Sequence, residues 1–315
     1  MSDASGVGAT SDASHAEVGS PPFDGEVTRA DVVARIQAHP LGDGPDAMRR
    51  DFARLVGGTG DVGSDVRVQA IERGGTDGLL VRPRAAVDGE GRRIVWFHGG
   101  GYVFGAPETH LRPAAFLAGL ADVPVFLPRY RLAPEHPWPA AFEDAMAAVR
   151  HAKGGPLVLV GDSAGGHLAL NVALALAREG MPAVGLVLLS PNTDRSGLSE
   201  TRERNGPSDP MVDDEGDRAM ARLAFGDGYD RQDPQVSPLL ADLSLLPPTH
   251  VEVGEGEVLL GDSLLLARRA TNARASVSVH VDPNGLHMGQ AWAPWWPVAR
   301  ASLERVARFV RGGAV

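Results

Sequence analysis

Short apolar runs alternate with helix-type patterns along most of the chain. Six runs that indicate buried strands lie at Ile94–Phe97, Val123–Leu127, Leu157–Val160, Gly185–Leu189, His250–Val253 and Val277–Val281. Most are followed by apolar residues at helical spacing, at Thr109–Ala121, Ala140–Lys153, Ala164–Arg178, Ser263–Thr271 and Trp295–Val310. Because strands that are apolar throughout are buried on both faces, this alternation predicts an α/β fold with a mostly parallel sheet flanked by helices.

The chain before this alternation has a different pattern. Apolar residues recur at helical spacing between Thr28 and Val56, with a glycine- and proline-containing break, and predict two short amphipathic helices. Thr28 and Asp31 have the spacing of a capping box at the start of the first helix. Val66–Glu72 and Gly78–Pro83, joined by a glycine-rich turn, predict an antiparallel hairpin.

Two segments stand outside the predicted sheet. Residues 1–25 are mainly Ser, Ala, Gly and Asp, and such a segment buries too little apolar surface to offset its ordering entropy. We therefore expect a disordered tail there. Residues 195–235 are polar and rich in Asp, Gly and Arg, with one helical pattern from Asp213 to Phe225.

The composition excludes several kinds of site and partner. The 315 residues include no cysteine, which excludes a disulfide framework, a thiolate metal site and a cysteine nucleophile. A formal net charge of −10 argues against nucleic acid and against an anionic membrane surface as partners. The N-terminus lacks the basic start and apolar run of a signal peptide, and no apolar stretch reaches the roughly 20 residues of a membrane span. We therefore expect a cytoplasmic protein.

The strongest chemical signal follows the apolar run Leu157–Val160. The next residues, Gly161–Gly165, have the pattern G-x-S-x-G, and a helical pattern begins at Ala164. A serine on a sharp strand-to-helix turn needs small neighbours, and the free amides at the start of the helix favour a developing anion. The context predicts Ser163 as a nucleophile. The alternative, a phosphate-binding glycine turn, lacks the fingerprints of such loops.

Three consecutive glycines follow another apolar run, Ile94–Phe97. Backbone amides in such a stretch are not shielded by side chains, and they suit the oxyanion of a tetrahedral intermediate. We assign the oxyanion hole to the amides of Gly100, Gly101 and Ala164. His98, immediately before the glycines, precedes the nucleophile in the chain, so we expect it to brace the loop rather than to act as a base.

The catalytic base is expected after the nucleophile in the chain. His250 and His280 lie at the edge of or inside predicted strands, where a packed or hydrogen-bonded histidine is the simpler interpretation. His287 lies in a turn-rich loop directly after the last predicted strand, from which an imidazole can reach over the sheet to Ser163. His287 is therefore the predicted base.

The acid that orients this base has three candidates in one loop after the strand that begins at His250. Glu257 is followed directly by apolar residues that would fix its position. Asp262 falls in the N-cap region of the next predicted helix. Glu255 lies between two glycines. Glu257 is the favoured acid, with Asp262 and Glu255 as alternatives.

With these residues identified, the chain resembles the bacterial hormone-sensitive-lipase-like esterases, also called family IV, from about residue 30 to 312. The resemblance implies an eight-stranded α/β-hydrolase core over 59–315, with a helical cap built from 26–58 and an insertion at about 195–235. The matching segments are His98–Gly101, Tyr130–Ala140, Gly161–Gly166, Glu257–Leu259 and His287.

The resemblance also bears on individual residues. Many relatives have aspartate where this chain has Glu257, and asparagine where it has His167. Arg131 and Glu135 are expected to form an ion pair that fixes a loop near the site, and Asp162 is expected to brace the loop around Ser163.

A serine carboxylesterase that hydrolyses short-acyl esters, with lactones as a further class, is the function that these features and the resemblance predict. Tyr102, Phe104 and Trp138 are the candidate pocket residues, and neither a metal nor an organic cofactor is needed. The expected partner is a small-molecule ester, and a homodimer is one open arrangement. The alternatives are a lyase, cyclase or acyltransferase that uses the same site, and a non-catalytic binding protein, as in the plant gibberellin receptors.

Overall fold

One sheet forms the centre of the molecule. The computed structural model describes residues 22–57, 62–72, 76–84, 91–152 and 155–313. Within them, eight strands join in the order β1-β2-β4-β3-β5-β6-β7-β8. The strands are β1 (Val66–Ile71), β2 (Gly78–Pro83), β3 (Arg93–Phe97), β4 (Val125–Pro128), β5 (Leu157–Asp162), β6 (Gly185–Leu189), β7 (Thr249–Gly254) and β8 (Val277–Asp282).

The sheet is mostly parallel. The pairs β1–β2 and β2–β4 are antiparallel, and every other pair is parallel. Every residue of β6 and β7 is buried, as strands covered on both faces must be. This topology confirms the predicted α/β fold and the predicted hairpin, although hairpin residues 73–75 lie outside the described residues. The carboxyl ends of the parallel strands share one edge of the sheet, where ligands bind in open α/β sheets.

Helices cover the sheet. Helix α3 packs against α9, whereas α5 packs against α4 and along β5. The described α-helices are α1 (Arg29–Ala38), α2 (Pro45–Val56), α3 (Pro107–Ala121), α4 (Ala140–His151), α5 (Ala164–Arg178), α6 (Thr201–Arg204), α7 (Asp214–Phe225), α8 (Leu260–Asn272) and α9 (Pro297–Val310). None of these described helices is long and apolar enough to cross a membrane.

Local sequence signals explain several helix ends. Thr28 and Asp31 form the predicted capping box at the start of α1. Helix α9 begins at Pro297 rather than at Trp295, because proline is favoured at the first helical position. The predicted end of α4 at Lys153 lies outside the described residues. Residues 1–21, which make up most of the predicted disordered tail, also lie outside the described residues.

A buried arginine ties the segment after β6 to the core. Arg202, on the four-residue helix α6, was not part of any predicted element. Its guanidinium donates to Asp262 at 2.8 Å, Asp217 at 2.8 Å and Asn192 at 2.7 Å. These contacts join α6 to α7, to α8 and to the chain that leaves β6. Burial raises the pKa of Asp262 in spite of this arginine. Burial also acts to raise the pKa of Asp217, but the charges of Arg195 and Arg202 outweigh it and lower that pKa to about 2.

Replacing Arg202 with methionine is expected to lower the free energy of unfolding by about 3–5 kcal/mol, because the buried carboxylate of Asp262 loses its cation and that of Asp217 keeps only Arg195. Urea unfolding of the purified protein measures this loss. The matched control is Arg204→Met on the same helix, where the side chain is exposed and the expected change stays within about 0.5 kcal/mol. Equal unfolding free energies for the two variants would contradict the anchoring role of Arg202.

Candidate active site

Ser163 lies on the sharp turn between β5 and α5. Its φ is 54°, in the left-handed region that non-glycine residues rarely adopt. The turn leaves no space for side chains on either side. A methyl group at Gly161 would lie 2.1 Å from the carbonyl oxygen of Gly165, and one at Gly165 would lie 2.1 Å from that of Phe97. The small residues of the pattern are therefore a packing requirement of this turn.

A continuous hydrogen-bond chain runs from Ser163 to Glu257. Nε2 of His287 lies 3.0 Å from Oγ of Ser163, and Nδ1 of His287 lies 3.1 Å from Oε2 of Glu257. All three side chains are buried, with Ser163 9% exposed and the other two 2%. The nucleophile–base and base–acid distances are those of a Ser-His-acid triad.

The other two acid candidates lie elsewhere. The carboxylate of Asp262 accepts from the amides of Thr193 and Asp194 at 2.9 and 2.8 Å and pairs with Arg202, so it serves the contacts between α8 and the chain after β6. It sits in the first turn of α8 rather than capping that helix. Glu255 is exposed. The structure therefore brings only Glu257, of these three, into contact with His287.

The environment of His287 favours its charged form. Burial by itself lowers the pKa of His287, but the hydrogen bond and charge of Glu257, with the charges of Asp209 and Asp162, raise the pKa above the usual 6.5. A base with a raised pKa holds the proton that it takes from the nucleophile more firmly.

The glycine loop after β3 is bonded to the nucleophile turn through the amide of Gly99 and the carboxylate of Asp162. Gly100 and Gly101 have φ values of 121° and 61°, and a methyl group at Gly100 would lie 2.2 Å from the carbonyl oxygen of Phe104. The amide of Gly99 is already bonded to Asp162 at 2.9 Å. Among the described residues, no backbone or side-chain acceptor takes the amides of Gly100, Gly101 or Ala164. These amides are the donors that the sequence assigned to an oxyanion hole.

Asp162 connects the glycine loop to the nucleophile turn. Its buried carboxylate accepts from Nε1 of Trp96 at 2.8 Å and from the amide of Gly99, and it lies 3.1 Å from Nε2 of His110. Burial raises the pKa of Asp162, but His110 and Trp96 outweigh it and the pKa is lowered. The expected bracing role of Asp162 is confirmed. His110 was not identified from the sequence, because nothing in its helical pattern indicates a buried carboxylate partner.

His98 is a structural residue, as expected. Its ring stacks on Tyr130 with centroids 4.2 Å apart, and the Tyr130 hydroxyl donates to the carbonyl oxygen of His98 at 2.6 Å. Burial lowers the pKa of His98 to about 3, so the ring is neutral. His250 is likewise buried and bonded, to Glu252 at 2.7 Å and Ser278 at 2.9 Å.

The expected ion pair between Arg131 and Glu135 is wrong. Arg131 instead bonds Asp144 at 2.8 Å and Glu143 at 3.0 Å, both on α4. Glu135 instead pairs with Arg49 of α2 at 2.7 Å. The loop therefore turns Glu135 towards the N-terminal helices, away from its near neighbour in the chain.

Two of the three pocket candidates lie in one aromatic cluster. The hydroxyl of Tyr102 lies 2.6 Å from Nδ1 of His167, and the Tyr102 ring contacts Trp138 with centroids 5.8 Å apart. Phe225 of α7 completes the cluster. Burial lowers the pKa of His167 to about 3, so the ring is neutral and Nε2 faces the carbonyl oxygen of Val236 at 3.2 Å.

Phe104, the third pocket candidate, lies apart from this cluster. It packs on Phe52 of α2 with ring centroids 5.0 Å apart, and its carbonyl oxygen and ring edge lie close to Gly100. A residue that the sequence did not indicate lies over the glycine loop instead. A methyl group at Gly101 would lie 2.3 Å from the sulfur of Met220 on α7. Within the described residues, no group of three His, Asp or Glu side chains could hold a metal ion.

Comparisons with known proteins agree with this fold. Residues 94–290 match a family model described as the alpha/beta hydrolase fold. An esterase of Acinetobacter venetianus is 33% identical over 251 residues, which are 78% of this chain and 82% of that protein. An acetyl-hydrolase of Streptomyces hygroscopicus is 33% identical over 228 residues, which are 70% of this chain and 76% of that protein.

A solved structure extends the similarity over nearly the whole chain. The crystal structure of an esterase from the bacterial hormone-sensitive lipase family has a TM-score of 0.84 and 32% sequence identity, and the match covers 90% of this chain and 97% of that chain. This structure and the two relatives all carry the name of an esterase or an acetyl-hydrolase. The chain thus belongs to the hormone-sensitive-lipase-like esterases of the α/β-hydrolase fold, the family IV carboxylic ester hydrolases.

Proposed function

We propose that this carboxylic ester hydrolase works through an acyl-enzyme on Ser163. The hydrogen-bond chain from Ser163 through His287 to Glu257 is the observation that carries the proposal. Nε2 of His287 takes the hydroxyl proton as Oγ of Ser163 attacks the ester carbonyl, and it then gives that proton to the departing alcohol. Water attacks the acyl-enzyme in the same way and releases the acid. Glu257 holds the ring and stabilises its charged form.

The amides of Gly100, Gly101 and Ala164 are the proposed oxyanion hole. Gly100 and Gly101 lie on the glycine loop after β3, and Ala164 is the first residue of α5, whose positive dipole end favours an anion. Asp162 supports this arrangement, because its carboxylate accepts a hydrogen bond from the Gly99 amide and so holds the glycine loop against the nucleophile turn. Each amide that stabilises the oxyanion in such a site is typically worth about 10²–10³ in rate.

Short-acyl esters are the proposed substrates, under a cap formed by residues 26–58 and 195–235. Arg49 of α2 donates to the carbonyl oxygens of Val103 and Ala133, and Met220 of α7 lies against Gly101. These contacts support a cap that lies close to the glycine loop and so to Ser163. The acetyl-hydrolase among the relatives supports a small acyl group. A panel of esters of graded acyl length, with several lactones, tests this preference, and a preference for long acyl chains would contradict it.

The proposed acyl-enzyme is tested with an active-site-directed fluorophosphonate. Intact-protein mass spectrometry should show one phosphonyl adduct, and peptide mapping should place it on Ser163. Product analysis with a butyryl ester should show free acid and alcohol in equal amounts. Labelling at another residue would overturn the proposal. An acyl group delivered to an added alcohol, or a cyclised product in place of free acid, would favour an acyltransferase or a cyclase instead.

The pH profile of kcat/KM is expected to have its acid limb above pH 6.5. His287 must be neutral to accept the proton of Ser163, and the pKa of His287 is raised by Glu257 and Asp209. Activity therefore falls as the pH falls through this raised pKa. Initial rates on a nitrophenyl ester from pH 5 to 9 measure the limb. Asp209→Asn, which removes one nearby negative charge, should move it to lower pH. A limb below 6.5 in the unaltered enzyme would contradict this expectation.

A further inference from the structure

Ser190 adopts an unusual backbone conformation at the carboxyl end of β6. Its φ is 46°, in the left-handed region, although it is neither glycine nor asparagine. The next residue is Pro191, and a residue before proline normally adopts an extended conformation. Such outliers cost about 1–3 kcal/mol and persist where the surrounding contacts impose them, often at functional sites.

The residues that flank Ser190 in the chain are bonded to the nucleophile turn. The amide of Ser163 donates to the carbonyl oxygen of Leu189 at 2.9 Å, and the amide of Asn192 donates to the carbonyl oxygen of Ser163 at 3.1 Å. The bend at Ser190 lies between these two bonds. The path of the chain through Ser190 is thus tied to the backbone of the nucleophile.

The side chain of Ser190 reaches the acid on the other side. Its hydroxyl donates to Oε1 of Glu257 at 2.9 Å, and the amide of Gly254 donates to the same oxygen at 2.5 Å. Oε2 is then left to accept from Nδ1 of His287. Ser190 is 1% exposed, so this hydroxyl lies away from bulk solvent.

We infer that Ser190 is a positioning residue that fixes the Glu257 carboxylate, and through it His287, relative to the nucleophile turn. This inference rests on the proposed triad. The strained bend places the Ser190 hydroxyl where it bonds Glu257. The residues on either side of Ser190 bond the backbone of Ser163. An extended residue at this position would carry the side chain and the following chain in other directions. Serine supplies a small donor at the site, since a hydroxyl can donate to a carboxylate.

Two variants that both lack the hydroxyl separate positioning from folding. Ser190→Ala keeps the strained backbone, whereas Ser190→Gly relieves it, because glycine adopts positive φ without steric cost. The glycine variant should therefore melt about 2–4 °C above the alanine variant. Both should lose about tenfold in kcat with KM unchanged, the effect of one hydrogen bond to a charged group.

A spectroscopic signature tests the same link without turnover. The proton that Nδ1 of His287 donates to Glu257 gives a downfield ¹H NMR signal in a site of this kind, and its chemical shift depends on the geometry of that bond. Both Ser190 variants should shift this signal. Asp122→Gly is the matched control for strain alone, since Asp122 has a φ of 54° at the exposed end of α3. It should raise the melting temperature and leave kcat and the NMR signal unchanged.

The two possible failures are distinguishable. If the unaltered enzyme hydrolyses esters and labels at Ser163 while both Ser190 variants keep its kcat and NMR signal, the role of Ser190 is overturned and the triad stands. The role is also overturned if kcat recovers in the glycine variant along with stability, because the loss in the alanine variant then reflects folding. If the unaltered enzyme does not label at Ser163, the proposed function itself fails.

Discussion

Replacing Ser163 with alanine is expected to lower kcat for ester hydrolysis by about 10⁵–10⁶, because no acyl-enzyme can form. The turnover that remains should be the part that the oxyanion amides supply to attack by water. Steady-state rates on a nitrophenyl butyrate, with the fluorophosphonate adduct followed by mass spectrometry, measure the loss. Both turnover and adduct should disappear together, because the same oxygen is responsible for both.

The alanine variant should fold normally. Alanine meets the same backbone strain at φ 54° as serine does, and only the hydroxyl oxygen is lost from a packed turn. Its melting temperature should stay within a few degrees of that of the unaltered enzyme. Ser244→Ala, at an exposed serine, is the control and should keep full activity. Substantial ester turnover by Ser163→Ala would overturn the proposed nucleophile.

The central sheet could be predicted from the sequence because its strands are apolar throughout. Runs such as Leu157–Val160 and Gly185–Leu189 need burial on both faces, and only a sheet covered by helices provides it. The predicted runs and the observed strands differ mainly at their ends. Helix α6, with four residues, was missed because so short a segment has no periodicity to detect.

Some residues of the candidate site could be predicted from the sequence, whereas others depend on contacts between distant parts of the chain. Gly161 and Gly165 were predictable because steric limits of the turn act within a few residues. His287 was predictable from chain order, although it contacts Ser163 across 124 residues. Met220 was not predictable, since an apolar residue on α7 gives no sign of which loop it covers.

The error at Arg131 has a physical reason. Glu135 lies only four positions after it, and such proximity suggested a pair, but an ion pair forms wherever backbone geometry brings the charges together. Asp144, at 2.8 Å, lies 13 residues further along, and Arg49 lies 86 residues before Glu135. Ser190 was missed for a related reason. Its positive φ is imposed by contacts with other strands rather than by its neighbours in the chain.

The second large effect is expected at Glu257. Glu257→Gln should lower kcat by about 10³–10⁴, as loss of the acid does in other Ser-His-acid sites, because an amide neither fixes the reactive tautomer nor stabilises the charged ring. The acid limb of the pH profile should also move to lower pH, since Glu257 raises the pKa of His287 by its hydrogen bond and charge. Rates from pH 5 to 9 measure both effects in one experiment.

The neighbouring carboxylates make this prediction decisive. Glu255→Gln, two residues away and exposed, should keep kcat within about twofold. Asp262→Asn should lower stability, because Asp262 pairs with Arg202, while the folded fraction keeps its pH profile. Stability and catalysis are thereby assigned to different carboxylates, one on α8 and one in the loop before it. If Glu257→Gln kept its activity and its acid limb while Asp262→Asn lost both, the contact of Glu257 with His287 would have no catalytic role.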